Sequence, residues 1–82
     1  MYEIIFSQTA ETQLKKLDKE IQKRILAVLE RIRIRPENYL KKLVNDPGFR
    51  LRIGDYRVIV DLEKTKLLIL VIKIGHRSKI YQ

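Results

Sequence analysis

The spacing of the hydrophobic positions changes along the chain, and these changes predict where strands and helices lie. Residues 2–6 are short, apolar and rich in β-forming side chains, which predicts a first strand. Ser7 and Thr9 can each cap a helix, and the apolar residues that follow, Ala10 and Leu14, lie at helical spacing. The chain therefore begins with a strand that leads into a short helix.

A second and longer helix is predicted to begin after Asp18, a residue type that caps helix N-termini. Its apolar side chains form one stripe, with the charged side chains on the other faces. The stripe consists of Ile21, Ile25, Val28, Leu29 and Ile32. Pro36 restricts the backbone of Arg35 and ends the helix. The two helices are therefore expected to form a hairpin with one buried side.

The second half of the chain predicts three strands, at residues 49–53, 56–62 and 67–75, after a connector over residues 37–48. The last strand is apolar on both faces, which is typical of a central position in a sheet. The predicted fold is α+β with the order β-α-α-β-β-β. It is a mostly antiparallel four-stranded sheet with a helical hairpin packed on one face, in a single domain spanning residues 1–82.

The first hairpin predicts a concentration of positive charge. Residues 49–60 alternate, so their apolar side chains share one face and their arginines share the other. A two-residue turn at residues 54–55 places Arg52 opposite Arg57, and like charges directly across a strand pair are destabilising. This arrangement indicates an anion site, with phosphate as the leading ligand because its oxygens match the guanidinium fork. A solvated strand face is the alternative.

The second hairpin turn decides on which face His76 lies. A four-residue turn at residues 63–66 places Ile72 opposite Arg57 and brings His76 towards the arginine face. The same register places Lys73 on the helix-covered face, where a lysine is unfavourable unless it lies at the margin and reaches water. A turn one residue longer or shorter would reverse the two faces.

Composition narrows the class of partner. The net charge of +8 and the pI of about 10.0 favour polyanionic partners, although excess lysine also serves solubility alone. With no cysteine and one histidine, neither a metal site nor another cofactor is expected. The longest apolar run, residues 67–72, is too short to span a bilayer, and no secretory signal is visible. A cytoplasmic protein without a membrane partner is therefore expected.

Several further residues are candidates for chemistry or binding. His76 is the only side chain that ordinarily exchanges protons near neutral pH, which makes it a candidate general base; a structural strand-end histidine is the alternative. Tyr81 is a candidate for stacking on a base or donating a proton, or else an anchor for the terminus. Additional cations extend the basic surface: Lys41, Lys42 and Arg77.

Three segments together resemble the RelE/ParE superfamily of toxins from bacterial and archaeal toxin–antitoxin modules. They are residues 10–17, residues 50–59 with their Gly-Asp-Tyr-Arg-Val turn, and residues 75–81 with Gly-His-Arg followed by tyrosine. Within the superfamily the chain looks most like the RelE branch, whose members cut messenger RNA in the ribosomal A site.

The resemblance implies a set of working residues. It assigns the family's strand basics, hairpin arginine, late arginine and terminal tyrosine to Arg50, Arg52, Arg57, Arg77 and Tyr81. His76 fits relatives that carry histidine just before the late arginine. RelE toxins have lysines where this chain has Arg50 and Arg52, and arginine cannot readily accept a proton. The role of general base therefore shifts to His76.

The resemblance also implies an activity. A RelE-like protein would be a ribosome-dependent, metal-independent endoribonuclease in which the 2′-hydroxyl of the RNA attacks its own phosphodiester, giving a 2′,3′-cyclic phosphate. An acidic, RelB-like antitoxin would neutralise it. Two alternatives stay open: a ParE-like inhibitor of DNA gyrase with the same fold, and a basic RNA-binding module without catalysis.

Overall fold

The computed structural model describes residues 1–44 and 48–78, which form two helices and a five-stranded sheet. A short 3-10 turn, Pro36–Asn38, follows the second helix. The helices are α1 (Gln8–Lys15) and α2 (Lys19–Ile32), and the strands are β1 (Glu3–Phe6), β2 (Lys41–Lys42), β3 (Phe49–Ile53), β4 (Tyr56–Glu63) and β5 (Leu68–His76). Within the described part of the chain, no helix has the length and apolar character needed to cross a membrane.

The sheet has the strand order β1-β5-β4-β3-β2. β1 pairs with β5 in parallel and the other pairs are antiparallel, so the predicted α+β fold with a mostly antiparallel sheet is confirmed. The predicted count of four strands is wrong. A fifth strand, Lys41–Lys42, pairs with Arg50 and Phe49 inside the expected connector. Two consecutive lysines carry no alternating pattern, so hydrophobic periodicity does not reveal this strand.

Both helices begin where their sequence signals predict. Ser7 caps α1 by accepting a hydrogen bond from the backbone N–H of Ala10 at 3.0 Å. Asp18 precedes α2 and its carbonyl accepts from the N–H of Gln22 at 2.9 Å, although its carboxylate makes no capping bond. Ser7, rather than Thr9, is therefore the cap of the first helix.

The hydrophobic core lies between the helices and one face of the sheet. α2 contributes fully buried side chains from its apolar stripe, and the strands contribute a matching set. Burial of each such side chain stabilises the fold by about 1.5–3 kcal/mol. These core residues include Ile25, Leu29, Ile32, Leu51, Val58, Val60, Ile69, Val71 and Ile74. The opposite face of the sheet has no helix packed on it in the described part of the chain.

A β-bulge in β5 changes the predicted register of the second hairpin. Val60 pairs with Val71, but the preceding residue, Ile59, pairs with Lys73, so Ile72 is left without an opposite partner. The prediction that Ile72 lies opposite Arg57 is therefore wrong. The turn is also displaced, because β4 continues to Glu63, which pairs with Leu68.

The bulge reverses the faces of the last part of β5. Arg57 pairs with Gly75, and Tyr56 pairs with His76. His76 therefore lies on the face of Tyr56, and the expectation that it shares the arginine face is wrong. The same shift moves Lys73 opposite Ile59, away from the helix-covered face. It thereby removes the conflict that the predicted register created for this lysine.

Helix α1 holds the bulge in place. Beyond the end of β1, the hydroxyl of Ser7 donates to the carbonyl oxygen of Ile72 at 2.8 Å. The side-chain oxygen of Gln13 accepts a hydrogen bond from the backbone N–H of Ile74 at 2.7 Å. Polar groups at this free edge of β5 are thus satisfied by side chains of the helical segment rather than by a neighbouring strand.

Candidate nucleic-acid interface

The hairpin between β3 and β4 brings two guanidinium groups together as predicted. Arg52 lies opposite Arg57, and Ile53 lies opposite Tyr56. Gly54, the first residue of the turn, has φ of +59°, while Asp55 has no positive φ; this is the pattern of a type II′ turn. The tight turn fixes the register and therefore fixes the two arginines across from each other.

The face of the sheet without helices carries a group of cations that we call the cationic face. Opposite residues of paired strands share a face, so Arg52, Arg57 and Gly75 form one row across three strands. The next row contains Ile59 among three basic residues, namely Lys41, Arg50 and Lys73. Because Gly75 has no side chain, nothing projects from β5 beside Arg57.

A cleft of about 390 Å³ opens between α2 and the edge of β3, and we call it the cationic cleft. Its described lining contains no carboxylate. Six basic side chains line it: Arg24, Arg31, Lys41, Arg50, Arg52 and Arg57. The remaining lining residues are Val28, Tyr39, Leu51, Ile53 and Gly54. A cleft of this composition attracts anions, and several guanidiniums in one cleft suit phosphate oxygens.

The guanidinium of Arg24 lies over the hairpin turn. A Cβ atom added to Gly54 would come within 3.1 Å of Nη1 of Arg24. On the same turn, Nε of Arg52 donates a long hydrogen bond to the carbonyl oxygen of Gly54 at 3.4 Å. The turn is therefore flanked by guanidiniums from a helix and from a strand.

His76 lies at the end of β5 on the face opposite the cationic face. Its ring packs edge-on against Tyr56, with 5.6 Å between the ring centroids. Its Nδ1 accepts a hydrogen bond from the backbone N–H of Ser78 at 3.3 Å and lies 2.9 Å from the Ser78 hydroxyl. A neutral imidazole that accepts at Nδ1 carries its proton on Nε2. With the proton on Nδ1 instead, that nitrogen donates to the Ser78 hydroxyl and Nε2 is the acceptor.

The other predicted site residues are distributed unevenly. Arg77 is exposed just beyond β5, where its backbone N–H donates to the carbonyl oxygen of Asp55 at 2.8 Å, but its side chain does not line the cationic cleft. Lys42 pairs with Phe49 and so lies on the face away from Lys41. Tyr81 lies outside the described residues. The structure thus brings together Lys41, Arg50, Arg52 and Arg57 in the cleft.

A comparison with family models shows to which family the chain belongs. The model of the ParE toxin of type II toxin–antitoxin systems (parDE) matches residues 4–81, nearly the whole chain. The chain belongs to the ParE toxin family. No curated protein sequence matches it. This ParE-family protein is thus the toxin of a type II toxin–antitoxin system, and the predicted membership of the RelE/ParE superfamily is confirmed.

Solved structures with the same fold are RelE toxins and RelE–RelB complexes. The toxin–antitoxin complex RelBE2 from Mycobacterium tuberculosis matches at 26% identity over 93% of this chain and 98% of that one, with a TM-score of 0.79. The isolated Escherichia coli RelE toxin matches at 23% identity over 99% and 92% of the chains, with a TM-score of 0.80. The archaeal RelE–RelB complex from Pyrococcus horikoshii matches at 24% identity over 95% of this chain and 97% of that one, with a TM-score of 0.77.

Three lining residues of this ParE-family toxin escaped sequence reasoning: Arg24, Arg31 and Tyr39. Arg24 and Arg31 are seven residues apart and therefore lie on one side of α2. That spacing was visible in the sequence, but cations on a helix are ordinarily solvent-facing. Only the orientation of α2 against the β3 edge shows that these two face the strand arginines.

Proposed function

We propose that this toxin is a metal-independent endoribonuclease that cuts messenger RNA in the ribosomal A site, in the cytoplasm. The 2′-oxygen attacks the adjacent phosphorus, the bond from phosphorus to the 5′-oxygen breaks, and a 2′,3′-cyclic phosphate forms. The 2′-hydroxyl loses its proton to water, and the leaving 5′-oxygen gains one from the protein. The RNA supplies the nucleophile, so the protein must orient it and stabilise charge.

One observation supports this proposal above the others: Arg52 and Arg57 face each other in a cleft whose described lining has no carboxylate. Repulsion between them is relieved by a bound anion, and their fixed donors would stabilise charge that develops on the phosphoryl oxygens. Removing one such preorganised donor typically costs about 10²- to 10³-fold in rate. Arg50 and Lys41 would hold the RNA beside them.

Proton transfer is assigned to the end of the sheet. We assign His76 the role of acid: its imidazolium form would donate from Nε2 to the 5′-oxygen, while Nδ1–H donates to the Ser78 hydroxyl 2.9 Å away. The role of base is the alternative: with the proton on Nδ1, Nε2 would accept the proton of the 2′-hydroxyl. The backbone N–H of Arg77 is hydrogen-bonded to Asp55 in the hairpin turn, and its guanidinium would contact the phosphate. Tyr81 would stack on a base or donate a proton. Lys42 would contribute only general attraction for RNA.

The decisive experiment uses translating ribosomes on a defined messenger RNA. Wild-type toxin is expected to give new 5′-hydroxyl ends within the A-site codon, each matched by a 2′,3′-cyclic phosphate. The double variant Arg52→Gln/Arg57→Gln is expected to lose this cleavage. Lys64→Gln/Lys66→Gln removes the same charge from the exposed turn at the other end of the sheet and should cleave normally. Equal cleavage by both double variants would contradict the proposal.

The proposed partner is an acidic, RelB-like antitoxin. RelB accompanies RelE in the complexes to which the chain is similar, and a net charge of +8 favours an acidic partner. Co-expression with the neighbouring gene should yield a copurifying complex that no longer cleaves RNA. Cleavage that persists at full rate in such a complex would contradict neutralisation.

A second candidate function is inhibition of DNA gyrase by binding. It is favoured by the family model that matches, which is that of the ParE toxin, and by the position of His76 away from the arginines. A gyrase inhibitor would block supercoiling by purified gyrase and leave messenger RNA intact on ribosomes. The two assays on one preparation therefore separate the two functions.

A further inference from the structure

The helix side of the cationic cleft contains two arginines that the proposed reaction does not use. Arg24 and Arg31 are both exposed and lie about 10 Å apart along α2, given a rise of about 1.5 Å per residue. Among the described residues, the ion pairs engage Lys15 and Arg33, and neither Arg24 nor Arg31 is paired with a carboxylate. Two guanidiniums are thus directed into the cleft without a described counter-charge.

The strand side of the cleft is an open edge. Pairing of β2 with β3 ends at Arg50, so no described strand covers β3 beyond that residue. The apolar part of the cleft lining comes from Leu51 and Ile53 of β3 and from Val28 of α2. Tyr39, which is 45% exposed, contributes an aromatic side chain to the same lining. Cations that follow a backbone, combined with an aromatic on which a base can stack, are the features that bind single-stranded nucleic acid.

We propose that the helix side of the cationic cleft is a subsite for a nucleotide next to the scissile phosphate in single-stranded RNA. Arg24 and Arg31 bind its backbone phosphates, and Tyr39 stacks on its base. The inference rests on the proposed function in taking RNA as the ligand. The cleft, at about 390 Å³, lies in the range of about 300–1,000 Å³ that small-molecule sites occupy, which suits a single nucleotide.

An acidic peptide is the competing ligand for such a cleft. It would satisfy the guanidiniums but would gain little from Tyr39 and the apolar side chains around it. The same cleft also contains Arg52 and Arg57, which are assigned to the reacting phosphate, and Arg50, which would hold the RNA beside them. One strand of RNA that crosses the hairpin therefore meets both groups of arginines, and this continuity favours RNA.

Direct binding tests the subsite independently of cleavage. The probe is a fluorescent single-stranded RNA with 2′-O-methyl groups, which lacks the nucleophile and cannot be cut. Arg24→Gln/Arg31→Gln is expected to weaken binding at least about tenfold, since each charge-assisted bond contributes about 1.5–3 kcal/mol. The slope of log affinity against log salt should fall by about 1.4, at about 0.7 for each lost phosphate contact.

The stacking contact has its own pair of variants. Tyr39→Ala should weaken binding about 5- to 150-fold, the effect of losing one stacked base, with the salt slope unchanged. Tyr39→Phe keeps the ring and should bind like wild type. Lys64→Gln/Lys66→Gln, which removes two charges elsewhere, controls for net charge, and unchanged melting temperatures control for folding.

Three outcomes separate this inference from the proposed function. If the wild type binds RNA through Arg24, Arg31 and Tyr39 but never cleaves, the subsite stands and the nuclease proposal fails. If the wild type cleaves, and these variants bind and cleave no worse than the lysine control, the subsite is overturned. If Arg24→Gln/Arg31→Gln loses binding to a poly-glutamate peptide but binds RNA as the wild type does, the subsite is also overturned.

Discussion

The hydroxyl of Ser7 donates to the carbonyl oxygen of Ile72, 2.8 Å away and 65 residues further along the chain. The same oxygen of Ser7 accepts from the N–H of Ala10 and so caps α1. One side chain therefore joins the start of the first helix to the bulge in β5. Because that bulge determines which side chains of β5 share the face of Arg57, Ser7 contributes indirectly to the arrangement of the candidate site.

Replacement of Ser7 by alanine tests this double role. Ser7→Ala loses both the cap and the bond to Ile72, so the free energy of unfolding should fall by about 1–3 kcal/mol. Thr9→Ala is the matched control, because Thr9 is exposed within α1 and should change stability by less than about 0.5 kcal/mol. Urea unfolding followed by circular dichroism measures both. Equal losses in the two variants would contradict the assignment of Ser7 as the cap.

Gln13 provides a second test of the bulge. Gln13→Ala leaves the N–H of Ile74 without its acceptor, and a part-buried donor left unsatisfied costs about 1–3 kcal/mol. Gln13→Glu keeps an acceptor oxygen in the same position and should retain most of the stability at neutral pH. Amide hydrogen exchange at Ile74 is the local measurement, with faster exchange expected only in the alanine variant. Unchanged exchange in both variants would argue against the contact.

These contacts also explain which parts of the structure the sequence predicts. The hairpin at Gly54 was predictable because a two-residue turn fixes its own register locally. The pairing of β4 with β5 was not, because the bulge depends on Ser7 and Gln13, which lie far away in sequence. Lys73 nevertheless indicated that the predicted register was wrong, because that register placed its charged side chain on the helix-covered face. The bulge places Lys73 on the open face instead.

The candidate site likewise contains residues whose placement follows from local sequence and residues whose placement depends on distant contacts. Arg52 and Arg57 were predicted as facing neighbours from alternation and turn length alone. Arg24 and Arg31 were not, since their role depends on how α2 lies against the edge of β3, which is a long-range packing relationship. Local rules therefore identified the strand half of the cleft, and tertiary packing supplied the helix half.

Repulsion between Arg52 and Arg57 predicts a conflict between stability and activity. Arg52→Gln removes one of two like charges that face each other, so the free energy of unfolding should rise by about 0.2–1 kcal/mol at low salt. The gain should shrink at high salt, because exposed charges are screened. RNA cleavage by the same variant should fall about 10²- to 10³-fold. Lys66→Gln should change neither property. A loss of stability at low salt would show that the two guanidiniums do not oppose folding.

The role of His76 as acid makes a prediction that depends on the leaving group. His76→Ala should cut ordinary RNA about 10²- to 10⁴-fold more slowly, because the 5′-oxygen then departs without a positioned proton donor. A substrate with sulfur in place of that 5′-oxygen needs little protonation, since a thiol is far more acidic than an alcohol. On this substrate His76→Ala should approach the rate of the wild type. Arg52→Gln should stay slow on both substrates, because stabilisation of the phosphoryl oxygens does not depend on the leaving atom. An equal defect of His76→Ala on the two substrates would rule out the acid role and leave His76 a structural partner of Tyr56.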